Sequence, residues 1–494
     1  MCLWPVPVVS CLVVIATFAS AVAQQAPAKK ADQPAATAKD APEPKAEPAV
    51  VPQDVSAPNE AQLKGMVDAS EETKSNVDEV FKDPKTEAAL VNTFKELRPP
   101  NPPLDLVGNP NDLSRIRGWA GGSGQADKAF LQRYVDYWTA ELTSHRNIKA
   151  LLDPPSQPKN ASEASRNAAA ARAIDRAATA LIDPLTTAMA TNPRNTAFLN
   201  AYVPILISTL PKLLDNHFYA RIQAMIVLGM TGSPDALDIY IKQLDDPEQS
   251  VWVKLWAARG ITNAAQGGRG TLTDTARAIK AGQSLASFLD RETGAPWPVR
   301  MRVVEAIGAL RIPTPLVSGK AEMVNAAMKL LSDPKERIEV RSQAAWSLGM
   351  MKIAPPLQGY NTNLAAYAIG RAAADLGDQI VETHSSEGSQ KAQQLTSMLL
   401  YQVYPALAGD PAVQGSGASK AQGADKAVVD QIVNQVKAVA AAAVRLSQAA
   451  GTTIEARKKD LSARVADLKA TLDKNTPKDR RLVAGGAEYP DAAR

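Results

Sequence analysis

Cysteine is nearly absent from this chain. Its two copies, Cys2 and Cys11, stand at the extreme N-terminus, so the remainder has no disulfide, no thiol nucleophile and no cysteine-ligated zinc. Histidine is almost as scarce. His145, His217 and His384 are the three, and none has the H-x-x-x-H or H-E-x-x-H spacing that sets two imidazoles around a metal on one helix face. A G-x-S-x-G elbow and a Walker G-K-[ST] are also lacking, although a serine triad assembled only in space leaves no such trace. Aromatics make up 5% of the chain, and no alternating β-branched run follows residue 60, which argues against sheet. An excess of one charge is missing too: 55 basic against 51 acidic residues give +4, too little to suggest a nucleic-acid partner. No cofactor, metal site or catalytic residue is expected.

What is present is alanine, leucine and helical periodicity. At 494 residues the chain exceeds one compact core, so several domains or a repeat array are required. The first 23 residues are apolar and end in Ala21-Val22-Ala23, an A-x-A pattern read as a secretory signal cleaved after Ala23; a retained N-terminal anchor is the alternative. Either places the protein outside the cytoplasm, secreted or in the periplasm and envelope. Residues 24–58, rich in Pro, Ala and Lys, read as a disordered linker. Residues 59–122 hold short helical patterns at 60–82 and 84–97 and a Pro-rich crossing segment at 98–113.

From Ser123 the pattern is helix after helix. The expected spans are 124–151, 162–190, 195–214, 218–230, 234–244, 250–264, 272–290, 298–311, 319–332, 338–352, 362–383 and 389–404. After a linker at 411–423, residues 424–449 and 453–474 form a helical hairpin around Gly451. Its stripes are Val428, Ile432, Val436, Val439 and Ala443 on one helix and Ile454, Leu461, Val465, Leu468 and Leu472 on the other, with Thr452 and Glu455 at capping-box spacing. Those stripes either cap the array or, coiled-coil fashion, dimerise the chain. Residues 475–494 read as a mobile tail. The hairpin's basic residues, Arg457 to Lys469, read as a solvated face, with a docking strip for an anionic surface as the alternative.

One grammar recurs inside the array. RIQAMIVLGM at 221–230 and RSQAAWSLGM at 341–350 both read R-x-Q-A-x-x-x-L-G-M. Asp246-Pro247 precedes Val253-Lys254 and Ala257-Ala258 at the same offsets as Asp333-Pro334 precedes Val340-Arg341 and Ala344-Ala345. Val299-Arg300 with Ile307-Gly308 makes a fourth copy. The basic anchors Arg221, Lys254, Arg300 and Arg341 are spaced by 33, 46 and 41 residues, the period of helical solenoids. Ala224, Ala257 and Ala344 let a helix approach its neighbours, and Leu228, Ile261, Ile307 and Leu348 share that face. A lone pair would leave one apolar flank wet, so stacking is required.

These residues resemble HEAT repeats, whose second helix follows a D-P turn with V-R-x-x-A-A-x-x-L-G. The likeness covers residues 210–355 well and 165–410 loosely. It implies an all-α, HEAT/armadillo-like solenoid at 123–410, and a ladder in which Arg341 meets Asp333 and Lys254 meets Asp246. It also implies a scaffold that binds other proteins along one face. Trp256 and Trp346 read as core, while Trp252 and Trp297, near turns, are the candidate partner-binding residues. An enzyme, lyase or hydrolase, with His217, Arg269 and acidic groups converging in a groove is the alternative. The glycine clusters at 119–130 and 266–274 read as loops preceding helices, with anion binding as the alternative.

Leu348→Ala is expected to cost about 2–5 kcal/mol as a buried truncation. Denaturant unfolding measures it, and a loss below about 0.5 kcal/mol, the range of surface substitutions, would contradict the helix assignment.

Overall fold

The computed structural model describes residues 83–490 apart from 92–94, 101–109, 153–169, 171, 267–271, 273, 313–320, 352–359, 387–388, 411–412, 414–415 and 421–425. The expected signal, the linker at 24–58, the helix at 60–82 and Arg269 lie outside the described residues, as does most of the linker at 411–423. Among the described residues the regular elements are helices, joined by one isolated antiparallel bridge between Arg481 and Glu488.

Helix α1 is Pro84–Val91, followed by α2, Pro110–Ala120, which opens on the last proline of the segment expected to be non-helical. A proline suits a first turn, where its missing N–H has no partner to lose. The span expected as one helix at 124–151 is two, α3 at Lys128–Leu142 and α4 at His145–Leu152. The break falls at Thr143, whose hydroxyl turns back to the Thr139 and Ala140 carbonyls, a local bond that competes with helix continuation.

Next come α5, Ala173–Ala190, and α6, Thr196–Thr209. Pro184 lies inside α5, and a proline leaves the carbonyl four residues earlier without its donor. That carbonyl belongs to Ala180, and the Tyr134 hydroxyl donates to it at 2.7 Å. Tyr202 donates in the same way to the Leu181 carbonyl at 3.0 Å.

The repeated region follows as α7 (Phe218–Met230), α8 (Leu237–Asp245), α9 (Val251–Ala265), α10 (Thr275–Arg291), α11 (Trp297–Leu310), α12 (Glu322–Ser332) and α13 (Ile338–Met350). Side-chain caps start several of them: Ser250 accepts from Trp252 N and Asp274 from Arg277 N, each taking an amide the first turn leaves free. In space, α7, α9, α11 and α13 lie side by side in chain order, and α8, α10 and α12 make a second row covering them. The inner row continues backward to α5 and forward to residues 399–408.

Close approach requires glycine at some of the recurring positions and not at others. A Cβ on Gly308 would lie 2.6 Å from the Ser347 Cα of α13, and one on Gly349 would run into the Ala406 backbone. Gly229 faces Gly260 of α9 with more room, its nearest neighbour at 3.6 Å. Ala224, Ala257, Ala344, Leu228, Ile261, Ile307 and Leu348 are all buried, as the expected stacking requires.

Helix α14, Thr362–Ser386, extends the outer row. It is followed by α15, Ser389–Met398, a π-turn at Leu399–Val403, and α16, Tyr404–Ala408. The hairpin is α17, Lys426–Ser447, and α18, Thr453–Lys474. Both helices pack on α14, where Gly370 meets Leu472 and Ile432 and Gly377 meets Val465 and Val439. Helix α17 is long and apolar enough to cross a membrane by length and composition. Here its apolar side, Val429, Ile432, Val436 and Val439, is buried. Of the two roles expected for the stripes, covering the array within one chain accounts for that burial. Thr452 makes no side-chain cap, and Glu455 pairs with Lys458, so the expected capping box does not form.

The expected mobile tail is a correction as well. Leu482 is fully buried, Asn361 N donates to its carbonyl at 2.8 Å, and the Tyr489 hydroxyl meets Asn325. Leu482, Val483 and Tyr489 supply apolar surface that a 3.6-residue periodicity does not reveal.

Gly308→Ala is expected to destabilise the protein by about 1–3 kcal/mol, because the opposing atom is backbone and cannot turn aside. Gly229→Ala, in ordinary contact, should be neutral or stabilising by up to about 1 kcal/mol, as alanine favours the helix. Equal effects in denaturant unfolding would contradict the assigned contacts.

Candidate interaction surface

The anchors sit at the N-terminal ends of the inner helices and reach forward to later segments of the chain. Arg221 Nη1 donates to Gln249 Oε1 at 3.2 Å. Lys254 Nζ meets Glu292 Oε1 at 3.2 Å, Arg300 makes a bidentate pair with Glu336 at 2.7 Å, and Arg341 meets Asp375 at 2.8 Å. The same cations hold backbone of the turn behind them: Arg221 donates to the Asn216 carbonyl, Arg300 to that of Ala295, and Arg341 to that of Leu331.

The two rungs implied by the HEAT resemblance do not form, and the cations pair elsewhere. Asp333 does not pair with Arg341, nor Asp246 with Lys254. Each aspartate instead accepts an amide of its own turn, Lys335 N at 2.8 Å and Glu248 N at 2.9 Å, which leaves the cation free to bond across the interface. Burial lowers the Lys254 and Arg221 pKa values; Glu292 opposes the shift at Lys254, and Asp215 and Asp246 oppose it at Arg221. Burial also raises the Glu292 carboxyl, but Lys254 and Lys85 outweigh it and hold that group below the usual carboxylate range.

Lys85 belongs to a strap, described at residues 83–91 and 95–100, that runs along the turns. Asp83 accepts from Val251 N, Thr86 shares a hydrogen bond with Ser250 at 2.6 Å, and Lys85 reaches Glu292. Further along, the Lys95 carbonyl accepts from Asn216, Glu96 from His145 N, and Leu97 N donates to Thr143. Residues expected in a separate region at 59–122 are thereby joined to the array.

The two rows differ on their outer faces. Outer-row charges pair with each other: Arg277 with Asp238, Arg291 with Asp245, and Lys329 with Asp290. On the inner row the half-exposed side chains include Ile226, Trp256, Arg259, Met301, Arg302, Glu305 and Trp346. Arg259 of α9 and Arg302 of α11 converge on Glu305 at 2.8 and 2.6 Å. Tyr401, 73% exposed, stands in the π-turn beside Gln402, which donates to Gln343 of α13.

The tryptophans do not divide as expected. Trp252 is buried, because its helix start lies under the strap. Trp297 is half-buried and covered by the Arg337 guanidinium at 4.5 Å from the ring. Trp256 and Trp346, expected in the core, are half-buried, as Trp297 is. Their positions two and five residues past the anchor fall on the uncovered side of the inner helices, a signal readable once the anchor's own facing is known.

Nothing described draws the expected enzyme residues together. His217 caps α7 and stacks on Tyr219, and His145 starts α4. His384 lies in α14 with its Nδ1 buried. Among the described residues no cluster of three His, Cys, Asp or Glu could hold a metal ion. Compared with known proteins, the chain matches no family model, no curated protein and no solved structure.

The lowered Glu292 carboxyl fixes a sign. Its contribution to stability is present above the unfolded carboxylate value, about 4.3, and is lost as the pH falls through the lower folded value. Wild-type unfolding free energy should therefore fall more steeply than that of Glu292→Gln between about pH 5 and pH 3. Parallel curves would contradict the pairing.

Proposed function

We propose that this chain is a non-catalytic, HEAT-like helical-repeat scaffold acting outside the cytoplasm, which binds another protein along the uncovered side of its inner row. One observation carries this: outer-row charges pair across neighbouring helices at Arg277–Asp238, Arg291–Asp245 and Lys329–Asp290, whereas the inner row presents Ile226, Trp256, Met301 and Trp346 partly open to water. Large apolar and aromatic side chains partly open to water favour a partner, since covering them recovers burial energy. The repeats supply length, so the surface suits an extended or irregular protein face. The export signal in the sequence supports an envelope or secreted setting.

Crosslinking and pull-down from an envelope fraction test this with three forms of the full chain. Trp256→Ser/Trp346→Ser should lose the partner captured by wild type while keeping the helical circular dichroism signal. Arg277→Gln/Arg291→Gln on the outer row should keep it. The opposite pattern would place binding on the other row and overturn the proposal.

A further inference from the structure

The inner row is unequal in charge as well as in apolarity. Along α7, α9, α11 and α13 the basic residues are Arg221, Lys254, Arg259, Arg300, Arg302 and Arg341, against only Glu305 and Glu339 as acids. Lys254, Arg300 and Arg341 are matched by acids from other segments, Glu292, Glu336 and Asp375, and Arg221 lies beside Gln249 with Asp215 and Asp246 near it. Arg259 and Arg302 share the single carboxylate of Glu305, as Lys254 and Lys85 share Glu292, but here both cations lie on the inner row.

Glu305 spends one oxygen on each: Oε1 takes Arg259 Nη1 and Oε2 takes Arg302 Nη1. A guanidinium offers five N–H donors in a planar fork, so each retains donors that Glu305 does not use. The three side chains are 18%, 15% and 13% exposed, partly shielded from water. There an unmatched positive charge is worth more to an incoming anion than at an open surface. Trp256 stands one helical turn before Arg259 on α9, an apolar wall beside the cation pair.

We infer that Arg259 and Arg302 receive a side-chain carboxylate of the partner, completing a two-arginine, two-carboxylate cluster, and that Trp256 packs against a bulky apolar residue next to it. The segment recognised is thus an acidic peptide stretch with interleaved large apolar residues. This deepens the inner-row reading above and rests on it.

Fluorescence anisotropy with the full chain tests it, using a fluorescein-labelled peptide alternating Glu with Leu and the same peptide with Gln in place of Glu. The acidic peptide should bind at least about tenfold tighter, the scale of one charge-assisted hydrogen bond. Arg302→Gln should erase the difference, Arg302→Lys should keep part of it, and Arg277→Gln on the outer row should keep all of it. Thermal melts followed by circular dichroism confirm that each variant is folded. Failure of the acidic peptide to bind wild type, equal binding of both, or discrimination that survives Arg302→Gln would overturn the inference. Equal binding of both peptides that Trp346→Ser abolishes would overturn the acidic preference alone and leave the inner-row reading standing.

Discussion

The structure depends on how closely the inner helices approach one another. Where α11 meets α13, the Gly308 position leaves no space for a Cβ beside Ser347, and the Ser347 hydroxyl uses that closeness to donate to the Val304 carbonyl at 2.6 Å. Side chains larger than glycine would push the helices apart and break the contact between layers. The same constraint holds at Gly349 against Ala406. The register of the row, and hence of the outer helices laid over it, follows from these points.

Close packing at the helix centres has a polar counterpart at the turns. Each cation is buried or nearly so, Lys254 most of all, and such a charge is tolerable only with a partner and hydrogen bonds. Arg300 and Arg341 each reach forward to an acid while holding a backbone carbonyl behind them, so one side chain ties two layers together. The strap residues 83–91 and 95–100 and the tail at 479–489 fasten the array at its turns and at its far end, so the chain covers surfaces that a truncated stack would leave wet. The side of the inner row facing away from the outer helices is left with tryptophan, methionine and paired arginines, which is where a binding role has physical support.

Much of the architecture was legible in the sequence because the repeat has a fixed grammar. Helix spans from 195 to 350 fall within a few residues of expectation, and Ala224, Leu228, Ala344 and Leu348 are buried as the periodicity required. The rungs of the ladder were not legible. Asp333 and Glu336 stand three residues apart in one turn, and only the backbone decides that the first caps the turn while the second meets Arg300 of the preceding layer. Trp252 was misjudged for a related reason: nearness to a turn suggested exposure, but the side chain is buried, in a helix start to which the strap, far away in sequence, is hydrogen-bonded. Helix α2 and the seated tail were missed because proline and short apolar clusters carry no period.

Native-state amide hydrogen exchange on Gly349→Ala tests the central claim most directly. If that glycine is the contact between layers, exchange should accelerate together in α13 and in residues 404–408, while α7 and α9 keep wild-type rates. Acceleration confined to the last turn of α13, or spread evenly over the chain, would show that the recurring glycine does not join neighbouring layers.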